Sequence, residues 1–141
     1  MAIKTVGVLG CGLMGAGIAQ VSVAAGFKTI VLEVNEDVLK KGLGRIDKFL
    51  TSGIEKGKVT EEQKKTVLGN LSGTTRYADL KDCDLVIEAI IENVEIKKQA
   101  YAEVEAVLGA HCIIASNTSS LCITELRAGT KRPDKVAGLH F

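Results

Sequence analysis

The sequence has little of what marks a membrane-bound, secreted or nucleic-acid-binding protein. Its formal net charge is only +1, and the lysines and arginines are scattered, which argues against a nucleic-acid or membrane partner. No apolar run approaches the roughly 18 residues of a membrane span, and none follows a basic start as in a signal peptide. The first predicted strand begins at residue 3, which we expect to leave no room for a transit peptide. We therefore expect a cytoplasmic protein.

Histidine and cysteine are also few, with two and four residues. No two cysteines form a C-x-x-C pair and the histidines do not cluster, so we predict no metal site. All the cysteines lie in or beside apolar segments, which favours small core residues in a reducing cytosol. Cys11 could alternatively be a redox switch, but nothing cationic adjoins it in sequence except a helix N-terminus. The four are Cys11, Cys83, Cys112 and Cys122.

What is present is an alternation of strand and helix patterns from end to end. The 141 residues suit one domain, and 46% hydrophobic and 25% charged residues exclude disorder. The alternation predicts an α/β fold with a doubly wound, mainly parallel sheet and a helical insertion after the second strand. The predicted strands are 3–9, 28–32, 71–75, 85–89, 112–115 and 136–139; the predicted helices are 16–25, 35–53, 60–68, 94–108 and 123–127.

The most informative stretch is the G-x-G-x-x-G turn between the first predicted strand and the first predicted helix. Gly10 permits the tight turn, Gly12 lets the backbone approach a pyrophosphate, and Gly15 allows close packing of the helix on the strand. The N–H groups and dipole at the start of the helix attract phosphates. The pattern predicts a Rossmann-type dinucleotide-binding domain, and the turn reads Gly10-Cys11-Gly12-Leu13-Met14-Gly15.

An acidic residue stands where this fingerprint requires one. Glu33 ends the second predicted strand, 18 residues after Gly15, and would accept hydrogen bonds from the adenosine ribose hydroxyls. Glu33 would repel a 2′-phosphate, and the nearest arginine, Arg45, lies most of a helix away, so NAD is favoured over NADP. The alternative, a glycine-rich turn followed by a surface acid, is disfavoured because strand, turn, helix and acid all occur together.

Further candidate residues follow the carboxyl ends of other strands, where open parallel sheets bind their ligands. His140 suits proton transfer near neutral pH, although a core histidine is the alternative. Ser119 suits a hydrogen bond to a substrate oxygen, or else caps a helix; the G-x-S-x-G motif of a nucleophilic serine is absent. His111 precedes the fifth strand and is predicted to be structural at the opposite edge. The remaining candidates at the ligand edge are Glu92, Lys97 and Asn117.

Four separate motifs resemble the L-3-hydroxyacyl-CoA dehydrogenases, in particular the bacterial 3-hydroxybutyryl-CoA dehydrogenases. They occur in the order of that family, and the resemblance covers the whole chain. It implies NAD-linked interconversion of a 3-hydroxyacyl-CoA and a 3-ketoacyl-CoA, as in fatty acid and butyrate metabolism. The motifs are residues 8–20, 84–89, 115–121 and 132–141.

The resemblance also implies roles for individual residues. His140 matches the general base that takes the 3-hydroxyl proton, and Ser119 matches the residue that hydrogen-bonds the reacting oxygen. Lys56 matches a contact to the coenzyme A phosphates. For Lys56 and Lys97 a solvated surface position remains the alternative. The expected cofactor contacts are Gly10, Gly12, Leu13, Met14, Gly15, Glu33, Ala89, Ile90, Glu92, Lys97, Asn117 and Ser119.

Two departures from the family pattern matter. Glu33 stands where the family commonly has Asp, which keeps the charge. The sequence stops at Phe141, where the family continues with a glutamate that orients the histidine and with an all-helical domain for substrate binding and dimerisation. We therefore expect residues 1–141 to be an NAD-binding domain that turns over poorly by itself. The alternatives are a non-catalytic NAD-binding sensor or structural protein, and a β-hydroxyacid dehydrogenase that acts on free acids.

Overall fold

A computed structural model describes residues 2–118, 123–139 and 141. Its six strands form one sheet that is parallel throughout, in the order β3-β2-β1-β4-β5-β6. The order reverses at β1, from which one half of the sheet runs to β3 and the other to β6, so the doubly wound prediction is confirmed. The strands are Thr5–Leu9 (β1), Lys28–Leu32 (β2), Leu71–Thr74 (β3), Leu85–Glu88 (β4), Ile113–Ser116 (β5) and Val136–Gly138 (β6).

Three of the helices begin after a residue whose side chain accepts one of their first backbone N–H groups. Asn35 and Asn93 each accept a backbone N–H three residues on, and Thr60 forms a reciprocal capping box with Gln63. Two helices lie between β2 and β3, as the predicted insertion requires. The helices are Leu13–Ala24 (α1), Glu36–Glu55 (α2), Glu61–Asn70 (α3), Val94–Glu105 (α4) and Ile123–Ala128 (α5). Within the described ranges, no helix has the length and apolarity that crossing a bilayer requires.

The sheet separates two apolar cores, because side chains alternate between the faces of each strand. Val8 of β1 packs with Ile18 of α1 and Ile46 of α2 on one face. Leu9 packs with Tyr101 of α4 on the other. Both faces of β1 are therefore covered, which explains why its sequence is a continuous apolar run. Burying each such side chain contributes about 1.5–3 kcal/mol.

Helical spacing of apolar residues predicts Phe49 as a core residue of the second helix and Ile96 as one of the fourth, and both predictions are wrong. Phe49 is 60% exposed, because the buried stripe of α2 is narrow, runs through Leu39, Ile46 and Leu50, and leaves Phe49 at its margin. Ile96 is 43% exposed. The buried face of α4 is instead rotated by one residue, so that a lysine lies in the core where the apolar pattern predicted an isoleucine.

His111 lies at the edge of the sheet where the strands begin, as predicted. Its Nε2 atom is 2.9 Å from Oδ1 of Asp84, which precedes β4. Asp84 also accepts the backbone N–H groups of Lys4 and Thr5, at 2.8 and 3.0 Å, and these bonds hold the pKa of its carboxyl below the usual value. This group of contacts ties together the amino ends of three strands and lies away from the ligand edge.

Candidate functional site

The turn after β1 requires its glycines for steric reasons. Gly10 has a φ of +95°, in the region that favours glycine, and its N–H donates to the carbonyl of Leu32 at 2.8 Å. A Cβ on Gly15 would lie 1.9 Å from the carbonyl oxygen of Gly10, so only glycine allows α1 to start this close to the turn. A Cβ on Gly12 would meet nothing within 4 Å. Gly10 and Gly15 are thus fixed by the backbone around them, whereas Gly12 faces open space.

The start of α1 differs from the starts of the other long helices. Gly12 caps it without a side-chain hydrogen bond, and its first turn contains no acidic residue. The corresponding turns of α2, α3 and α4 all contain glutamate, and each has a capping side chain. Leu13 is 82% exposed and Met14 is 46% exposed, so the helix presents its amino end to solvent. A helix end of this kind attracts anions, and phosphates in particular.

Glu33 lies beside this turn and is held by backbone groups. One carboxylate oxygen accepts the N–H of Cys11 at 2.5 Å, and the other accepts the N–H of Val34 at 3.1 Å. Arg45 donates from Nη1 to the carbonyl oxygen of Cys11 at 3.1 Å. Arg45 and Glu33 therefore contact the same residue of the turn. The sequence separation had predicted that Arg45 lies far from Glu33. Helix α2 folds back past the turn, which brings this arginine to it.

Cys11 is a packed core residue of the turn. Its side chain is fully buried, and a Cβ on Gly42 of α2 would lie 2.4 Å from its sulfur. Burial, assisted by the negative charge of Glu33, raises the pKa of the Cys11 thiol to about 11. A thiol that stays protonated at neutral pH is a poor redox nucleophile, which supports the interpretation as a small residue that fits the turn. Cys83 and Cys112 are likewise free and buried.

Two cavities flank the turn at the carboxyl edge of the sheet. We call the larger, of about 570 Å³, the Glu33 cavity; it lies between the ends of β2 and β4 and the side of α4. Its sequence-predicted members are Gly10, Gly12, Glu33, Ala89 and Ile90. Sequence reasoning missed the rest. Val34, Thr75 and Ile91 follow strand ends and could have been found by that rule. Four residues belong to α4 and become visible only through packing: Ile96, Gln99, Ala100 and Glu103.

The second cavity, of about 320 Å³, lies on the other side of the turn, and we call it the Glu88 cavity. It shares Ala89 and Ile90 with the Glu33 cavity. The structure thus brings together six predicted cofactor contacts from four segments: α1, the loop after β4, α4 and the loop after β5. Sequence analysis did not name Glu88, because it stands at the end of a buried strand. The lining is Met14, Glu88, Ala89, Ile90, Glu92, Lys97, Asn117 and Phe141.

A cluster of buried polar groups forms one wall of the Glu88 cavity. The carboxylate of Glu88 is fully buried and forms an ion pair with the ammonium of Lys97. It also accepts the N–H of Ile90 at 2.9 Å, the hydroxyl of Ser116 at 2.7 Å and the hydroxyl of Tyr101 at 3.4 Å. Lys97 is only 2% exposed, so its alternative assignment to a solvated helix face is wrong. Four segments of the chain meet at this one carboxylate.

Glu92 and Asn117 continue this wall toward the cavity. Nζ of Lys97 lies 3.5 Å from a carboxylate oxygen of Glu92, which also accepts the Thr118 hydroxyl at 2.7 Å. The Asn117 N–H donates to the Glu88 carbonyl at 2.9 Å, and its side-chain oxygen accepts the Phe141 N–H at 2.9 Å. The loops that follow β4 and β5 are therefore joined by hydrogen bonds where they border the cavity.

Three predicted residues lie outside the described part of the chain: Ser119, Cys122 and His140. Ser119 follows the described Thr118, and His140 stands between the described Leu139 and Phe141. Lys56 is described and exposed at the C-cap of α2. A 20-residue helix is about 30 Å long, so the structure does not bring Lys56 to either cavity.

Comparison with known proteins identifies relatives across the whole chain. A family model described as "3-hydroxyacyl-CoA dehydrogenase, NAD binding domain" matches residues 5–141. The 3-hydroxybutyryl-CoA dehydrogenase of Bradyrhizobium diazoefficiens is 45% identical over 139 residues, covering 99% of this chain and 47% of the relative. The fatty acid oxidation complex subunit alpha of Idiomarina loihiensis is 42% identical over 139 residues, covering 99% of this chain and 19% of that protein.

Solved structures agree with this result. The crystal structure of (S)-3-hydroxybutyryl-CoA dehydrogenase from Ralstonia eutropha superimposes with a TM-score of 0.96 at 40% identity. The superposition covers 99% of this chain and 50% of that one. This chain thus spans about half the length of the 3-hydroxybutyryl-CoA dehydrogenases that it matches, and a smaller share of the multifunctional relatives.

Proposed function

Because the chain belongs to the family of NAD-binding domains of 3-hydroxyacyl-CoA dehydrogenases, we propose that it is the cofactor-binding part of such an enzyme. The enzyme would interconvert a 3-hydroxyacyl-CoA and a 3-ketoacyl-CoA, with 3-hydroxybutyryl-CoA and acetoacetyl-CoA as the example suggested by the relatives. The observation that carries the proposal is the family match over residues 5–141, on a fold whose glycine turn and acid have the geometry that a dinucleotide needs.

The proposed placement of NAD follows from the geometry of the ligand edge. The pyrophosphate would lie over Gly12 at the uncapped start of α1, where no Cβ obstructs it. The adenosine ribose would donate to Glu33, with the adenine in the Glu33 cavity. The nicotinamide end would then lie across the turn in the Glu88 cavity, against Glu92, Lys97 and Asn117. Both cavities border the turn, which supports an extended dinucleotide.

The proposed chemistry depends on two residues outside the described ranges. His140 would take the proton of the 3-hydroxyl group, and NAD held at the turn would supply the acceptor for the hydride of the same carbon. Ser119 would donate a hydrogen bond to the reacting oxygen. Their neighbours support this assignment: β5 and β6 are parallel neighbours, so Thr118 and Leu139 leave the sheet at the ligand edge. Lys56 is proposed to contact coenzyme A phosphates because it is exposed and matches the family position.

The proposal includes a second, helical domain that binds the acyl group and forms a homodimer, with the whole enzyme in the cytoplasm. Its support is the resemblance to a two-domain family and the share of about half that the chain covers in its relatives. On this basis, residues 1–141 alone bind NAD(H) and turn over little. The residues that would orient His140 and enclose the acyl chain belong to the other domain.

The test is to join residues 1–141 to the remaining half of the Ralstonia eutropha enzyme and to follow NADH formation. We expect oxidation of 3-hydroxybutyryl-CoA and no oxidation of free 3-hydroxybutyrate. His140→Ala should reduce kcat by about 10²–10⁴-fold, the usual contribution of a general base. The matched control is His111→Ala, which alters the other histidine at the opposite edge and should leave kcat within about twofold.

Each competing function has its own outcome in this experiment. Preference for the free acid would indicate a β-hydroxyacid dehydrogenase of another kind. A folded hybrid that binds NADH and shows no activity above that of its His140→Ala variant would contradict the proposed chemistry. It would favour a non-catalytic NAD-binding role.

A further inference from the structure

The buried ion pair between Glu88 and Lys97 is not explained by stability. Both side chains are removed from water, with exposures of 0% and 2%. Taking two charges out of water costs free energy that their attraction only partly returns, and apolar residues of similar volume often stabilise a core equally well. The pair also lies at the ligand edge, next to the strand where the sheet order reverses. Its position therefore points to a role toward a ligand.

The partners of Glu88 come from three segments beside the Glu88 cavity. Ile90 belongs to the loop after β4, Lys97 to the second turn of α4, and Ser116 to the last position of β5. The Ser116 hydroxyl in turn accepts the N–H of Thr118 at 3.3 Å. One carboxylate thus fixes the spacing between β5, the β4 loop and α4. A substitution at Glu88 would therefore alter the positions of the residues along the whole wall of the cavity.

Lys97 is held between two carboxylates of unequal exposure. Glu88 is fully buried behind it, whereas the side chain of Glu92 is 42% exposed in front of it. Because a lysine side chain has many rotamers, an ammonium at a cavity wall needs such partners to keep one position. The buried carboxylate of Glu88 supplies a contact that water cannot replace, because water does not reach it. The exposed one brings the same ammonium to the cavity surface.

We propose that Glu88 is a positioning residue for the nicotinamide half of the dinucleotide. It acts through Lys97 and Ser116 to fix the wall of the Glu88 cavity against which the nicotinamide and its ribose bind. This inference depends on the proposed function, because it assumes that NAD(H) occupies the two cavities in the order given above. It adds a residue that the family resemblance did not name. Glu88 need not touch the cofactor to have this effect.

The test compares two ligands that differ only in the nicotinamide half, NADH and ADP-ribose, by calorimetry on the 141-residue chain. Glu88→Gln keeps the shape of the side chain and removes its charge. We expect it to weaken NADH binding about tenfold and to change ADP-ribose binding by less than twofold, with a lower fluorescence gain of the bound dihydronicotinamide. Glu88→Asp, which keeps the charge, should retain more NADH affinity than Glu88→Gln.

The matched control is Glu105→Gln. Glu105 is also a mostly buried carboxylate, paired with Arg132 at 3.9 Å and bonded to Thr130, but it lines neither the Glu33 nor the Glu88 cavity. Its substitution should leave the affinities for both ligands unchanged. If Glu88→Gln fails to fold, the double variant Glu88→Gln/Lys97→Met removes both charges together and should show the same selective loss of NADH.

Three outcomes would overturn the inference. Equal weakening of NADH and ADP-ribose would mean that Glu88 supports the fold in general. Unchanged binding of both, with a lowered Tm, would mean that the ion pair is only structural. Failure of the unmodified chain, shown to be folded, to bind either ligand would overturn the proposed cofactor site itself, and the inference with it. Only the selective loss of NADH supports the role of Glu88.

Discussion

Glu33 and Glu88 stand at the ends of the two strands that flank β1, yet their surroundings differ. Leu9 at the end of β1 pairs with Leu32, directly before Glu33, on one side and with Glu88 on the other. Glu33 is partly buried and accepts two backbone N–H groups. Glu88 is fully buried and accepts one backbone N–H, an ammonium and two hydroxyls.

The difference shows how similar side chains can serve a ligand in two ways. An ionised carboxylate has about four acceptor positions. Four donors satisfy those of Glu88, so it can act only through the groups that it holds. Two donors leave Glu33 with about two acceptor positions facing its cavity, which suits the paired hydroxyls of a ribose. This contrast supports the two proposed roles, direct binding for Glu33 and positioning for Glu88.

The largest effect is expected from a substitution in the glycine turn, which borders both the Glu33 cavity and the Glu88 cavity. Gly15→Ala would place a Cβ 1.9 Å from the carbonyl oxygen of Gly10, so α1 and the turn must move apart. We expect at least a 100-fold loss of affinity for both NADH and ADP-ribose, measured by calorimetry. Moving the turn should also lower the free energy of unfolding, measured by urea denaturation.

The control for this variant is Gly17→Ala on the same helix. Its Cβ would meet nothing within 4 Å, and alanine is favoured over glycine in a helix by about 1 kcal/mol. We expect unchanged or raised stability and unchanged ligand affinity. Tight NADH binding by Gly15→Ala would contradict the steric role of the turn.

A smaller effect is expected from Glu33→Gln, which changes the Glu33 cavity and leaves the Glu88 cavity intact. The amide oxygen can still accept the Cys11 N–H, while the charge that attracts ribose hydroxyls and repels a 2′-phosphate is removed. We expect about a tenfold loss of affinity for both NADH and ADP-ribose, in contrast to the selective effect of Glu88→Gln. Affinity for NADPH should fall less or rise, so the preference for NADH should narrow in parallel titrations.

Glu36→Gln is the matched control for this variant, since Glu36 is exposed in the first turn of α2 and lines neither cavity. Its affinities should stay within about twofold of the unmodified chain. An unchanged ratio of NADH to NADPH affinity in Glu33→Gln would refute the direct role of Glu33.

The sequence predicted the part of the site that follows local rules. The order of strand, turn, helix and strand placed Gly10, Gly15 and Glu33 at one edge, because the glycines are demanded by backbone sterics within ten residues. The sequence also predicts helix caps at Asn35, Thr60 and Asn93, since each precedes a helical pattern and a cap bonds within three residues. The turn glycines and the caps involve residues close in sequence, and the structure confirms their geometry.

What the sequence did not predict depends on contacts between distant segments. From the sequence, Glu88 is only the end of an apolar strand. Its partners Lys97 and Ser116 lie 9 and 28 residues away, so no local pattern indicates that they meet. The burial of Lys97 also rotates α4, which moves Ile96 from the core to the Glu33 cavity. Periodicity counts only apolar residues, so a buried charge that is paired from another element escapes it.

The most direct test of the account is a titration of the unmodified chain with NADH and, in parallel, with NADPH, following nicotinamide fluorescence. The chain contains no tryptophan, so its own emission interferes little. The account predicts saturable binding of NADH that is clearly tighter than that of NADPH, because Glu33 accepts the ribose hydroxyls and repels a 2′-phosphate. Equal or tighter binding of NADPH, or no binding of either by a folded chain, would contradict it.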